Sequence, residues 1–122
     1  MSSRREQLQL VIDYGEELTQ TPKKEFSEED KVPGCISDVM IKAKATKENI
    51  HFDTNVDSLV TKGYVAMLVT MLDGLTKDEI LDSEEKIQTF IKETGIDMSL
   101  VPSRMNSFQR VHEFILKKTK EL

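Results

Sequence analysis

Cys35, His51 and His112 are the thiol and imidazole groups of this sequence, and Cys35 is its only cysteine. A thiolate is a strong nucleophile and a ready partner in sulfur exchange, so a single thiol suffices for either chemistry. One cysteine cannot close an internal disulfide, nor can it build the multi-thiolate zinc or iron-sulfur sites that gather several. Cysteine-dependent hydrolysis would need an imidazole within hydrogen-bond reach and a third group to orient it. His51 stands between Ile50 and Phe52 in an alternating stretch and points away from them. His112 lies near the apolar side of a helical pattern and reads as a packing residue. Three uses of Cys35 stay open on the residues alone: a nucleophile served by His51 or His112, a small core hydrophobe in a non-catalytic interaction domain, or a thiol offered to another protein.

The surroundings of the cysteine favour presentation. In Val32-Pro33-Gly34-Cys35-Ile36-Ser37 the proline fixes φ and the glycine admits positive φ, so a sharp bend precedes the thiol. After it, Val39, Ile41, Ala43 and Ala45 alternate with Asp38, Lys42 and Lys44, the pattern of a half-buried strand running from about Ser37 to Ala45. Thr46-Lys47-Glu48-Asn49 is a short polar turn, and Ile50 to Thr54 alternates again, which predicts an antiparallel hairpin. A helix over 4–18 should carry Leu8, Val11, Ile12 and Leu18 on one face, with Pro22 as its breaker. Residues 23–31 read as a surface loop pinned by Phe26, its acidic Glu28-Glu29-Asp30 solvated.

The most apolar segment, 58–72, should be a central buried helix capped by Asn55 or Asp57. Gly63 would allow a close backbone approach there, and Gly74 would lie just past the end. Thr76-Lys77-Asp78-Glu79 forms a capping box, and Asp82-Ser83-Glu84-Glu85 signals a further helix that Gly95 stops. A last helix capped by Ser103 should bury Phe108, Val111, His112 and Ile115 and end in a solvated Lys117-Lys118-Thr119-Lys120.

The bulk numbers agree with this plan. A chain of 122 residues suits one domain, 1–122, with a core that needs no metal or disulfide. Net charge is −5 with both signs interleaved, so no basic stripe faces a nucleic-acid backbone. No apolar run approaches the ~20 residues of a membrane span, and the opening residues run into a helical pattern instead of a secretory leader. The expected setting is the cytoplasm, where a lone thiol stays reduced.

Three stretches then resemble, in order and spacing, the signatures of the SufE/CsdE family of sulfur-acceptor proteins: Lys31 to Val39 around the cysteine, Asp57-Ser58-Leu59-Val60-Thr61-Lys62-Gly63, and Leu100-Val101-Pro102-Ser103-Arg104. The family often has Gln-Ser-Gln after the cysteine where this chain has Ile36-Ser37-Asp38. The resemblance implies an α+β fold with a small antiparallel sheet packed against helices, as in the IscU/SufE type. It implies that Cys35 accepts persulfide sulfur from a cysteine desulfurase, stimulates that enzyme, and passes the sulfur towards a downstream iron-sulfur scaffold. This protein would hold no cofactor, and the desulfurase would carry pyridoxal phosphate. Pro33, Gly34, Ser37, Lys62 and Arg104 would support the thiol or its partner. In the free protein Cys35 is expected to be sheltered beside Ile36.

Overall fold

Period-two alternation builds the hairpin. In the computed structural model β1 (Val39–Thr46) pairs antiparallel with β2 (Asn49–Val56), from Val39 opposite Val56 to Thr46 opposite Asn49, so the turn is the two residues Lys47 and Glu48. Val39 and Ile41 of β1 and Ile50, Phe52, Thr54 and Val56 of β2 face inward and are buried. The structure describes residues 4–34, 38–95 and 102–122, and the side chains of residues 6, 9–34, 38–95 and 105–122. Among the described residues the sheet has these two strands, with isolated bridges from Lys31 to Met40 on one edge and from Asn49 to Thr76 on the other.

The helices are α1 (Arg4–Glu16), α2 (Leu59–Leu72), α3 (Lys77–Leu81), α4 (Glu84–Thr94) and α5 (Pro102–Lys120). Most of α2 is buried, as its nearly continuous apolar sequence requires, and α1, α5 and the hairpin pack around it. Burying a side chain such as Leu68 or Leu72 contributes about 1.5–3 kcal/mol, so this helix supplies much of the core. Tyr64 of α2 meets Phe108 of α5 edge to face at 5.8 Å between ring centroids. Where α1 crosses α2, a Cβ on Gly63 would overlap the Val11 carbonyl, and one on Gly15 would sit 2.8 Å from the Gly63 nitrogen. The predicted close approach is therefore backbone on backbone.

Several local expectations need correction. The cap of α2 is Ser58, whose Oγ accepts from Thr61 N–H at 3.4 Å, and not Asn55 or Asp57. Asn55 lies in β2 with its amide donating to the Thr21 carbonyl, and the Asp57 carboxylate is taken by Lys23 at 3.1 Å. The first strand starts at Val39, two residues later than Ser37. The last helix starts at Pro102, which suits a first position because proline lacks the N–H that would be orphaned there, so Ser103 is already inside it. Residues 23–31 are two 3-10 turns, Lys23–Glu25 and Glu28–Asp30, and Asp30 is buried. The Thr76–Glu79 capping box forms as predicted, and Gly95 ends α4 at φ 68°.

Candidate functional site

The chain leaves the sheet edge at Val32 and returns at Val39, and the six residues between them include the cysteine. Cys35, Ile36 and Ser37 lie outside the described residues, so the expected shelter of Cys35 and the supporting role of Ser37 lie outside them too. The base of the loop is fully described. Val32 N–H donates to the Val39 carbonyl at 2.9 Å, directly beside the Lys31–Met40 bridge. Lys31 Nζ reaches Asp38 Oδ1 at 3.3 Å across the base, and the Asp38 carbonyl accepts from Asp57 N–H at 3.2 Å. The Val32 side chain is buried in the core. Both ends of the loop are thus held by backbone pairing, and an exposed Pro33-Gly34 turn leads to the thiol.

A buried ion pair anchors the approach to that base. Lys118 Nζ lies 2.8 Å from Asp30 Oδ1, and the other carboxylate oxygen accepts from Ser27 N–H at 2.9 Å. Burial would raise the Asp30 pKa. The Lys118 hydrogen bond, the Ser27 N–H and the charges of Lys118 and Lys42 outweigh it, so Asp30 stays ionised below the ordinary aspartate range. Lys118 also stands 5.5 Å from the centre of the Phe114 ring. Neither the acidic cluster nor the terminal lysine run is simply solvated, because one member of each meets the other across the fold.

Gly34 has φ +78°, the left-handed region that the sequence anticipated for this turn. Its open side is covered by Arg110 of α5: a Cβ built on Gly34 would lie 2.6 Å from a guanidinium nitrogen and 3.0 Å from Cζ. Gly34 is therefore required for its conformation, while the guanidinium, at the far end of an exposed flexible side chain, could shift to admit a Cβ. Arg110 escaped the sequence reading because it is one polar residue on the outer face of an amphipathic helix, 76 positions from Gly34, and only the packing of α5 against the hairpin joins them.

Both histidines are engaged elsewhere. His51 Nδ1 lies 3.2 Å from Asp73 Oδ2, while Asp73 Oδ1 accepts from Phe52 N–H at 2.9 Å, so this imidazole is tied to the C-terminal end of α2. His51 pairs with Lys44 in the register, five residues along β1 from Val39, or roughly 17 Å from the base of the loop at ~3.4 Å per residue. His112 Nε2 lies 3.2 Å from Ser83 Oγ, and that hydroxyl gives its own proton to the Ile80 carbonyl, so His112 is the donor. Burial lowers the His112 pKa against the raising influence of Glu84 and Glu113, which keeps the imidazole neutral. Two residues on a helix differ by about 200° in direction, so Arg110 faces Gly34 while His112 faces the turn between α3 and α4.

Lys62 is half-buried on α2 at the α1 crossing, and the described contacts do not bring it to the loop. Arg104 lies in the first turn of α5, with its side chain outside the described residues. Among the described residues no three His, Cys, Asp or Glu side chains gather as a metal site would, and no helix is long and apolar enough to cross a membrane.

Comparison with known proteins agrees with the three sequence signatures. The family model "SufE: Fe-S metabolism associated domain" matches residues 1–119. An uncharacterised SufE-like protein of Synechocystis is 34% identical over 105 residues, 86% of this chain and 64% of that protein. The SufE-like protein 1, chloroplastic/mitochondrial, of Arabidopsis thaliana is 34% identical over 89% of this chain and 29% of its own length. The cysteine desulfuration protein SufE of Wigglesworthia glossinidia brevipalpis is 26% identical over 88% of this chain and 74% of its own. This chain therefore spans less than two thirds of the first two relatives. A solution structure of a hypothetical protein from Thermus thermophilus superposes with a TM-score of 0.78 at 14% identity, covering 99% of this chain and 86% of the other, and shares the fold. With the family model spanning nearly the whole sequence and the α+β fold in place, this chain belongs to the SufE family.

Proposed function

We propose that this chain is a sulfur acceptor in which the Cys35 thiolate takes the terminal sulfur of a persulfide held by a cysteine desulfurase. The new bond joins Cys35 sulfur to the transferred atom. The sulfur-sulfur bond on the donor breaks, and the donor cysteine leaves as a thiolate that takes a proton from solvent. No electrons are gained or lost overall, so no cofactor is needed in this protein; the pyridoxal phosphate that frees sulfur from cysteine belongs to the desulfurase. With a single cysteine in the chain, no neighbouring thiol expels the carried sulfur. Delivery to an iron-sulfur scaffold is the onward step, in keeping with the description of the family model.

The observation that carries this reading is the loop itself: its base is held by paired backbone, its turn needs glycine, and a cation covers that glycine. The positions of the histidines support transfer over hydrolysis, since His112 is spent on Ser83 and His51 on Asp73. We place the protein in the cytoplasm because a lone thiol suits a reducing compartment, although the Arabidopsis relative is named for chloroplast and mitochondrion. The test is intact-mass spectrometry after incubation with a desulfurase and cysteine. One added sulfur on the parent protein is expected, and none on Cys35→Ser, whose circular dichroism should match the parent. Sulfur retained by the serine variant, or absent from the parent, would overturn the proposal.

A further inference from the structure

A cation in the last turn stabilises a helix C-terminus, and α1 and α2 lack one. By contrast, α4 carries Lys92 there and α5 carries Lys117, Lys118 and Lys120. Each C-terminus holds roughly half a negative charge from its aligned peptide dipoles. Carboxylates add to it at both uncompensated ends: Asp13 and Glu16 in the last turn of α1, Glu17 just beyond, and Asp73 at the C-cap of α2.

The same two ends meet. Glu17 and Leu18 at the end of α1 and Val69 and Asp73 at the end of α2 line one cavity of about 520 Å³, together with Tyr14 and with Phe52 of β2. Its walls are largely apolar, its two charged residues are both acidic, and no lysine or arginine lines it. Tyr14 is 47% exposed and Leu10, one turn earlier on the same side of α1, is 58% exposed, so apolar surface continues outward along the helix. The cations around it are distant or occupied. Asp73 meets the His51 imidazole and the Phe52 N–H, Lys44 pairs with Asp53, and Lys77 donates to the Leu122 carbonyl at 2.7 Å. Lys62 stands eleven residues before Asp73, about 16 Å along α2.

We propose that this groove is a docking site for a partner protein that inserts a lysine or arginine carried among apolar residues. The apolar part of that segment covers Tyr14, Leu18 and Val69, and its cation completes the two helix ends that this chain leaves without one. Acidic or phosphorylated segments meet repulsion at the same place. The groove is also separate from the cysteine loop. Phe52 pairs with Ala43, four residues along β1 from Val39, or roughly 14 Å from the base of the loop at ~3.4 Å per residue. The base is bridged on the β1 edge, whereas Asp73 meets the hairpin from the β2 side. The inference therefore goes beyond the sulfur-acceptor reading and does not depend on it.

The experiment selects phage-displayed random peptides of about 12 residues on the parent protein, and measures the affinity of the enriched peptides for the parent, Thr70→Arg and Glu17→Gln by fluorescence anisotropy. Thr70 is exposed and lines the groove, so arginine there supplies the cation from within. Enriched peptides should carry lysine or arginine beside apolar residues. They should bind Thr70→Arg about tenfold or more weakly, and Glu17→Gln about 2- to 5-fold more weakly, than the parent. Circular dichroism checks that both variants fold; should Thr70→Arg fail to, Glu17→Gln decides, because it changes an exposed side chain to its neutral isostere. No enrichment, enriched peptides without a basic residue, or equal affinity for the parent and the folded variants would overturn the proposal. Self-association of the parent in sedimentation velocity that Thr70→Arg abolishes would overturn it too, because the occupant would then be a second copy of this chain.

Discussion

Substituting Asp30 should weaken the whole molecule and the approach to the cysteine loop in particular. The Asp30–Lys118 pair joins residues 88 positions apart, at 2.8 Å, with side-chain exposures of 6% and 12%. Removing one partner of a buried pair strands the other charge and costs about 3–5 kcal/mol. Lys118 keeps a narrow path to water, so Asp30→Asn belongs at the lower end, about 3 kcal/mol. At roughly 4 °C per kcal/mol for a domain of this size, the midpoint of thermal unfolding should fall by about 12 °C. Lys118→Met should cost a similar amount, because the Asp30 carboxylate is then buried without its cation. The double variant Asp30→Asn, Lys118→Met should be more stable than either single one, since it leaves no charge stranded. Urea unfolding followed by circular dichroism measures all three. The pH dependence carries a definite sign: the folded-state pKa of Asp30 lies below the ordinary 3.8, so its contribution is present above that value and is lost as pH falls through the folded pKa. Parent and Asp30→Asn should therefore converge in strong acid. Single variants that each cost under about 1 kcal/mol, or a double variant whose loss equals the sum of the singles, would refute the reasoning and leave an ordinary solvated ion pair.

Two further outcomes are expected. The Thr54 hydroxyl is buried in β2 without a hydrogen-bond partner among the described residues, so Thr54→Val should stabilise the fold by about 1 kcal/mol, and a lower urea midpoint would contradict this. His112 is buried with a lowered pKa, so its contribution to stability is present above the unfolded value of 6.5 and declines as pH falls towards the folded pKa. His112→Gln, which retains a donor towards Ser83, should lose that decline; an unchanged slope between about pH 7 and 5 would place the effect elsewhere.

Much of the fold was legible because short-range signals agreed with one another. Alternation around Ile41 and Phe52 gave the hairpin, nearly continuous apolarity from Leu59 to Leu72 gave the buried helix, and Gly63 marked the crossing that the Val11 carbonyl occupies. Capping was legible where a reciprocal pair existed, as for Thr76 and Glu79. It failed at α2, where the two expected caps are taken by tertiary partners: Thr21 holds Asn55 and Lys23 holds Asp57, and Ser58, read as the start of the helix, caps it instead. The turn at Gly34 was legible from Pro33 and Gly34, whose backbone constraints are local. Asp30 with Lys118, and Gly34 with Arg110, were not, because no periodicity ties a residue near position 30 to one near 110.

Those two long-range contacts bear on one electrostatic question. The chain carries a net charge of −5 and would, taken whole, disfavour an anion on its surface. Spread over a body roughly 14 Å in radius of gyration, with a Debye length of about 8 Å, that excess amounts to only about 0.2 kcal/mol at any one surface atom. Charges near the turn at Gly34 therefore matter more there than the global excess. Asp30, Asp38 and Asp57 each have a lysine within 3.3 Å. Their pairing fastens the approach to the loop and its base, and it sets a cation against each of three acidic residues near the turn that Arg110 covers.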